Sequence, residues 1–325
     1  MKYDVKVQNL SKEFQIYRKA PGLKGSIKSL FKREYSTIKA VDDVSFNIER
    51  GEFVGFIGPN GAGKTTTLKS LSGLLYPSSG KVSVLGYTPW ERNREFLKKI
   101  ALVMGQKNQL WWDLPAMDSF LMNKEIYEIS DDQFYGKLDD LIDLLDLGSV
   151  VNIPVRKLSL GQRMKCELLS SLLHSPQVLF LDEPTIGLDV VMQKKLRTFF
   201  KEYNKTSETT IILTSHYMDD VKELCKRVII IDDGKLLYDG SIANLIRQHA
   251  QYKTISFVSS KRIMKEDLER VGEIVTLDDV NGVIKVERDL VPNVSAKLLK
   301  DFSVEDLNID EMSLDDVIRE IFTKS

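Results

Sequence analysis

Gly58-Pro59-Asn60-Gly61-Ala62-Gly63-Lys64-Thr65 matches the phosphate-binding loop pattern G-x-x-x-x-G-K-[ST] at every position. Each residue type has a task there. Glycines let the backbone curl without Cβ clashes, so that successive N–H groups point inward at phosphate oxygens. A lysine at position 64 reaches the β- and γ-phosphates of a nucleotide, and the Thr65 hydroxyl suits Mg²⁺. The flanks agree. Glu52-Phe53-Val54-Gly55-Phe56-Ile57 reads as a short apolar strand entering the loop, and Thr66-Thr67-Leu68-Lys69-Ser70-Leu71 reads as a helix leaving it. The N-terminus of such a helix favours anions.

Three more motifs stand in order around this loop. Val178-Leu179-Phe180-Leu181-Asp182-Glu183 is an apolar strand ending in two acids. Asp182 suits a Mg²⁺ contact through water, and Glu183 suits polarisation of an attacking water. Leu158-Ser159-Leu160-Gly161-Gln162-Arg163 opens a helix running to Leu173, with Ser159 as its N-cap. Thr210-Ile211-Ile212-Leu213-Thr214-Ser215-His216 reads as a buried strand that ends in one of only three histidines. Its position after two nucleotide motifs points to a γ-phosphate contact for His216.

Over about residues 3 to 248 the chain resembles the ATP-binding subunits of ABC transporters. Gly58 to Thr65 match Walker A, and Val178 to Asp182 match Walker B with Glu183 as catalytic glutamate. Leu158 to Gln162 match the signature, and His216 matches the switch histidine. Gln106, after the strand Ile100 to Met104, matches the Q-loop glutamine, and Gly187-Leu188-Asp189 match the D-loop. The resemblance implies an α/β P-loop NTPase core with a helical subdomain at about 107–175, inside a nucleotide-binding domain spanning 1–248. It implies ATP contacts from Gly58, Asn60, Gly61, Ala62, Gly63, Lys64, Thr65 and Thr66, with Ser159, Gly161, Gln162 and Asp189 contributing to an ATP held between two copies. Thr65, Gln106 and the phosphates would hold Mg²⁺, with Asp182 in the outer shell. Lys64, Gln106, Glu183 and His216 would serve hydrolysis.

Two positions depart from the family pattern or leave a choice. The signature is usually Leu-Ser-Gly-Gly-Gln, and here its third position is Leu160, which predicts a working signature with altered packing. The aromatic that stacks on adenine lies after the first strand, Val5 to Leu10. Phe14 fits best and Tyr17 is the rival.

Composition fits this reading. The chain has 325 residues, enough for two domains and ample core. Its formal net charge of −1 excludes the global basic field of nucleic-acid binders. Cys166 and Cys225 lack CxxC spacing and read as reduced packing residues. No apolar run approaches the roughly 18 residues that span a bilayer, and Met1-Lys2-Tyr3-Asp4-Val5 has no signal-peptide core. Membrane-spanning parts are therefore expected on another chain, with this one peripheral at the cytoplasmic face.

Pro77-Ser78-Ser79-Gly80 followed by Lys81 to Gly86 predicts a second hairpin, and Leu and Ile at helical spacing predict helix over about 114 to 147. Strands are expected near 177–182, 209–214 and 227–232, with a tight turn at Asp232-Asp233-Gly234-Lys235 and a closing helix at Ile242 to Arg247. Two segments are extra to the family core. Within an insertion at about 17–38, Leu23, Ile27, Leu30, Phe31 and Tyr35 recur at helical spacing among Lys24, Lys28, Lys32 and Arg33. This reads as a basic amphipathic helix, lying on the inner leaflet or a transmembrane partner, or packed on its own domain. Residues 249–325 read as a small α+β domain, with strands at 253–258, 273–277, 282–286 and 303–309 and helices near 261–270, 291–300 and 313–322.

The C-terminal segment, including Ile309 to Val317, resembles the extension of ABC-2-type exporter ATPases. Gly105 to Pro115, with Trp111 and Trp112, resembles a branch of the same group at the place where the membrane subunit docks; core packing is the alternative for the two indoles. The expected function is thus ATP hydrolysis by a homodimer that drives an ABC-2-type exporter. An importer ATPase is the first rival, and a soluble ABC ATPase acting on ribosomes or DNA the second.

Overall fold

The computed structural model describes residues 2–18, 34–105, 107–248, 252–311 and 313–324. The chain divides into two compact units, residues 1–239 and 240–325. The first begins with β1 (Tyr3–Arg18) and β2 (Glu34–Glu49), followed by β3 (Phe53–Ile57), α1 (Lys64–Leu71) and β4 (Ser79–Val84). Then come α2 (Arg94–Leu97), β5 (Ile100–Met104), α3 (Ala116–Tyr127), α4 (Asp131–Leu145) and α5 (Leu160–Leu172). It continues through β6 (Val178–Asp182), α6 (Val190–Ser207), β7 (Thr210–Thr214), α7 (Met218–Leu224), β8 (Arg227–Asp232) and β9 (Lys235–Ser241).

A six-stranded sheet of order β5-β6-β7-β3-β8-β9 carries the nucleotide motifs. Its first five strands are parallel. Strands buried on both faces read as continuous apolar runs, and β3 and β7 are buried at all five positions. The return from β8 to β9 turns at Asp233 (φ 43°) and Gly234 (φ 76°), the left-handed pair that a two-residue hairpin requires. An antiparallel sheet of order β2-β1-β4 lies over the parallel one. Val5, Val7, Val41 and Phe46 from it pack with Phe56, Leu68, Phe180, Ile212 and Ile229 in one core.

Two local expectations are corrected in this unit. Residues 81–86 do not form a hairpin of their own: β4 is a single strand on the free edge of β1, with Val5 opposite Val84 and Val7 opposite Val82. That pairing buries Val82 and Val84 in the core, which a local hairpin would leave facing solvent. Tyr35 belongs to no helix: β1 runs on to Arg18 and β2 starts at Glu34, so Tyr17 and Tyr35 stand opposite each other, as do Phe14 and Ile38. Cross-strand aromatic and branched pairs of this kind favour a ladder. The rest of the expected amphipathic helix, Leu23, Ile27, Leu30 and Phe31 included, lies outside the described residues. In the second unit, the helix expected near 261–270 shortens to four residues, Lys265–Leu268.

The second unit comprises α8 (Ile242–Gln248), β10 (Tyr252–Ser259), α9 (Lys265–Leu268), β11 (Glu273–Leu277), β12 (Asn281–Glu287), α10 (Val291–Asp301), β13 (Val304–Glu311) and α11 (Leu314–Lys324). Its antiparallel sheet has the order β11-β12-β10-β13. Ile255, Phe257, Leu268, Ile284, Val286 and Leu298 form its own core. The helix expected to close the first unit, α8, packs against α11 and belongs to the second. Buried Lys285 on β12 pairs with Glu320 of α11 at 2.7 Å and lies 4.2 Å over the Tyr252 ring, which ties the last helix to the sheet.

Both cysteines are free and buried. Burial pushes the Cys166 thiol up to about 12, which suits packing and not reactivity. His174, just beyond α5, stacks on Tyr127 at 3.9 Å with 3° between the planes, and its Nε2 lies 3.0 Å from the Ile100 carbonyl. Its Nδ1 is buried without a partner, so a second proton there would be unsolvated. Burial lowers its pKa from 6.5 to about 4. A depressed folded pKa makes protonation destabilising, so stability present above pH 6.5 is lost as pH falls towards 4. Between pH 7 and pH 5 the native chain should lose about 2 kcal/mol more than His174→Phe, which keeps the ring stack. Urea unfolding at the two pH values checks this, and equal losses would contradict it.

Candidate active site

The phosphate-binding loop leaves β3 and turns through Gly61 (φ 87°) and Gly63 (φ 100°) into α1. Two of its glycines are set by close approach. A Cβ on Gly63 would come within 2.3 Å of the Ala40 carbonyl, and one on Gly58 within 2.3 Å of the Ile231 carbonyl. The β8–β9 turn buttresses the loop, with the Gly234 N–H donating to the Ala62 carbonyl at 3.2 Å. The Lys64 side chain is folded into the loop: Nζ donates to the carbonyls of Gly58 at 2.6 Å and Pro59 at 3.0 Å. Only 5 % of Lys64 is exposed. Burial lowers its pKa, opposed by the charges of Glu183 and Asp182.

The end of β6 reaches both that loop and the end of β7. Asp182 accepts from the Thr65 hydroxyl at 2.8 Å with one carboxylate oxygen and from the Thr214 hydroxyl at 2.7 Å with the other. Glu183 follows at φ 55°, in the left-handed region that costs a non-glycine residue free energy. Its N–H donates to the Thr214 carbonyl at 3.1 Å, which holds that conformation. The Glu183 carboxylate lies 2.6 Å from His216 Nε2. A pocket of about 160 Å³ is lined by Thr65, Lys69, Met104, Gly105, Lys107, Asp182 and Glu183. Gln106, between two of those lining residues, lies outside the described residues.

A buried carboxylate fixes the strand ends from behind. Asp220 on α7 is fully buried. It accepts from Thr185 at 2.6 Å, Ser215 at 2.9 Å and Arg197 at 2.9 Å. Thr185 follows Glu183 by two residues and Ser215 precedes His216, so one side chain ties down both flanks of the Glu183–His216 pair. Thr214, Asp220, Lys69 and Lys107 were not singled out by sequence. For Thr214 the one sequence signal is its place before Ser215 and His216 at the end of an apolar strand.

Ser159, Gly161, Gln162 and Asp189 form a second cluster, at the starts of α5 and α6. Ser159 caps α5 in a reciprocal box: its hydroxyl accepts from the Gln162 N–H at 3.2 Å, and the Gln162 side-chain oxygen accepts from the Ser159 N–H at 3.0 Å. The Gln162 side chain is thereby committed to the cap. Asp189 caps α6 through the Met192 N–H at 2.9 Å. Leu160 packs over the D-loop: a Cβ on Gly187 (φ 73°) would meet it at 3.0 Å, and one on Gly161 would meet Met192 at 3.0 Å. The departure at position 160 is thus accommodated by Gly187, which faces it. Phe14 is 38 % exposed, with the Lys12 ammonium 5.1 Å over its ring. Lys12 pairs with Val41, beside the Ala40 carbonyl that crowds Gly63, so Phe14 stands two residues along β1 from the loop.

Asp220→Ala leaves buried Arg197 with only Glu223, 3.1 Å away, and takes the acceptor from Thr185 and Ser215, and should cost about 3 kcal/mol of stability. Equilibrium unfolding in urea measures this, and a loss below about 1 kcal/mol would show that the network does not hold the strand ends.

The ABC transporter family profile matches residues 41–186, and the profile of the EvrA-like ABC transporter C-terminal domain matches residues 251–310. The chain is 33 % identical over 215 residues to the ABC transporter ATP-binding protein NatA of Bacillus subtilis (strain 168), covering 66 % of this chain and 87 % of that protein. It is 32 % identical over 218 residues to the bacitracin transport ATP-binding protein BcrA of Bacillus licheniformis, covering 67 % and 70 %. A solved ATP-binding subunit of an ABC transporter superposes with a TM-score of 0.62 at 24 % identity, over 75 % of this chain and 92 % of that one. A phosphate loop braced by two strand-end threonine–aspartate bonds, in a chain this similar to NatA and BcrA, is the ATP-hydrolysing cassette of the ABC transporter ATP-binding proteins, and the chain belongs to that family.

Proposed function

We propose that this chain powers export through separate membrane-spanning subunits of an ABC-2-type transporter. Similarity to a protein named for bacitracin transport and to NatA supports that reading, as does the similarity of residues 251–310 to an ABC transporter C-terminal domain. No described helix is long and apolar enough to cross a membrane, which fits permeases on other chains and a peripheral place at the cytoplasmic face. Exposed Trp111 and Trp112 offer aromatic anchors for such a partner.

The observation that carries the mechanism is the junction of Thr65, Asp182 and Thr214 beside the Glu183–His216 pair. Two copies would enclose two ATP molecules, each between the phosphate loop of one copy and Ser159 of the other. Phe14 stacks on adenine. Backbone N–H groups from Gly58 to Thr66 cradle the phosphates, and Lys64 leaves its two loop carbonyls to balance charge on the γ-phosphate. The hard oxygens of Thr65 and Asp182, 2.8 Å apart on one pocket wall, fit Mg²⁺. Thr65, Gln106 and the phosphates would hold that ion, with Asp182 in its outer shell, and it would neutralise charge on the β- and γ-phosphates. Glu183 orients the water that attacks phosphorus in line, and His216 holds Glu183 in place while contacting the γ-phosphate. Ser159 Oγ, engaged only as an acceptor in its cap, keeps its proton to donate to the opposing phosphate.

Glu183→Gln should leave ATP affinity intact and slow turnover roughly 10²-fold or more. ATP then accumulates a dimer resolved by size-exclusion chromatography, and near-normal turnover would reject the assignment of Glu183. Ser159→Arg should block that dimer without weakening ATP binding to a single copy, as read by titration with a fluorescent ATP analogue. Weakened binding by the lone copy would mean that Ser159 serves its own chain's nucleotide.

A further inference from the structure

Glu167 lies on α5, two turns in from the signature serine, and is 5 % exposed. One carboxylate oxygen accepts from the backbone N–H of Gln109 at 2.8 Å and of Leu110 at 3.3 Å. The other is buried with no partner. Burial raises the Glu167 pKa against the pull of those two amides. A buried carboxyl with an orphaned oxygen is expensive, and nothing in the hydrolytic site uses it. What it secures is the loop that follows Gln106 and carries Trp111 and Trp112.

The same loop is fastened to the signature region at other points. Arg163, one turn before Glu167 on the same helix face, places its guanidinium 5.5 Å over the Trp112 ring. The Trp112 carbonyl accepts from Arg156 N–H at 2.9 Å, and the Leu114 carbonyl from Val155 N–H at 3.0 Å. Those donors come just before Ser159. On the other side, the loop meets β5 through the Gln109 side chain, which donates to the Leu102 carbonyl at 2.7 Å. Glu167 is the only one of these fastenings that reaches from the body of α5 to the loop backbone next to β5.

We infer that Glu167 is a positioning residue that locks the aromatic loop 107–115 to the signature helix, so that nucleotide-driven movement of Ser159 is transmitted to Trp111 and Trp112. The inference rests on the ABC reading of the site and adds a specific coupler to it. Gln at position 167 keeps an acceptor for both amides, whereas Leu removes it and Asp retracts it by one methylene.

The test uses the full chain with Trp90→Phe, so that Trp111 and Trp112 are the remaining indoles of the three. Indole emission is followed on adding ATP, and ATP affinity is read separately with a fluorescent analogue. The background chain and E167Q should show the same ATP-dependent change in emission. E167L and E167D should lose at least about five-fold in amplitude, with ATP affinity altered less than about two-fold. The Asp variant keeps the comparison intact should the Leu variant not fold. Full amplitude in E167L or E167D, or equal loss in E167Q, overturns the inference. So does a background chain that binds ATP with no change in emission. A background chain that binds no ATP overturns the underlying reading of the site instead.

Discussion

The Asp182 carboxylate is the constraint on which the site depends. It closes β6 with two hydroxyl bonds, one to Thr65 at the start of α1 and one to Thr214 at the end of β7. Those three elements are otherwise held by a sheet whose order, β6-β7-β3, places β7 between β6 and the strand that feeds the phosphate loop. Parallel strands aligned in register bring their carboxyl ends to one rim, where α/β proteins bind ligands. The two hydroxyl bonds convert that general property into a fixed geometry.

One strained residue and one buried ion pair lie beside that junction. Glu183 takes a left-handed conformation right after Asp182, and Gly105 approaches so closely that a Cβ there would meet the Glu183 carbonyl at 2.2 Å. The Gly105 N–H donates to the Asp182 carbonyl at 2.9 Å. The step from β5 into the glutamine loop is therefore tied to the strand that carries both acids. Behind it, Asp220 and Arg197 form an ion pair inside the domain. Such a pair adds little net stability over apolar packing. Its directional bonds to Thr185 and Ser215 fix the backbone on either side of the Glu183–His216 pair, which apolar packing would not do.

Sequence revealed the parts of this site whose partners are local. β3, β6, β7 and β8 were legible because strands covered on both faces are short unbroken apolar runs. Ser159 was legible as a cap because the box needs only Gln162 three residues on. The turn at Asp233-Gly234 was legible because few residue pairs accept that backbone. The pairing of β4 with β1 was not, since it joins Val5 to Val84 and no periodicity encodes a partner so distant. Thr214 and Asp220 escaped for the same reason: a polar residue in an apolar strand or helix announces a partner but not which one. Gln162 was read as a nucleotide contact from its place in the motif, and its side-chain oxygen also closes the Ser159 cap. The amphipathic pattern overreached at Tyr35, which stands on a strand, because apolar residues at i, i+4 and i+8 also satisfy a strand's period of two.

The central claim is that hydrolysis needs two copies of this cassette, each supplying the phosphate loop to one ATP and Ser159 to the other. The most direct measurement is the specific rate of ATP hydrolysis as a function of protein concentration, at saturating ATP and Mg²⁺. A composite site predicts a specific rate that rises with concentration and levels off once the dimer is saturated. A specific rate independent of concentration, in a chain that stays monomeric with ATP across the range, would contradict it.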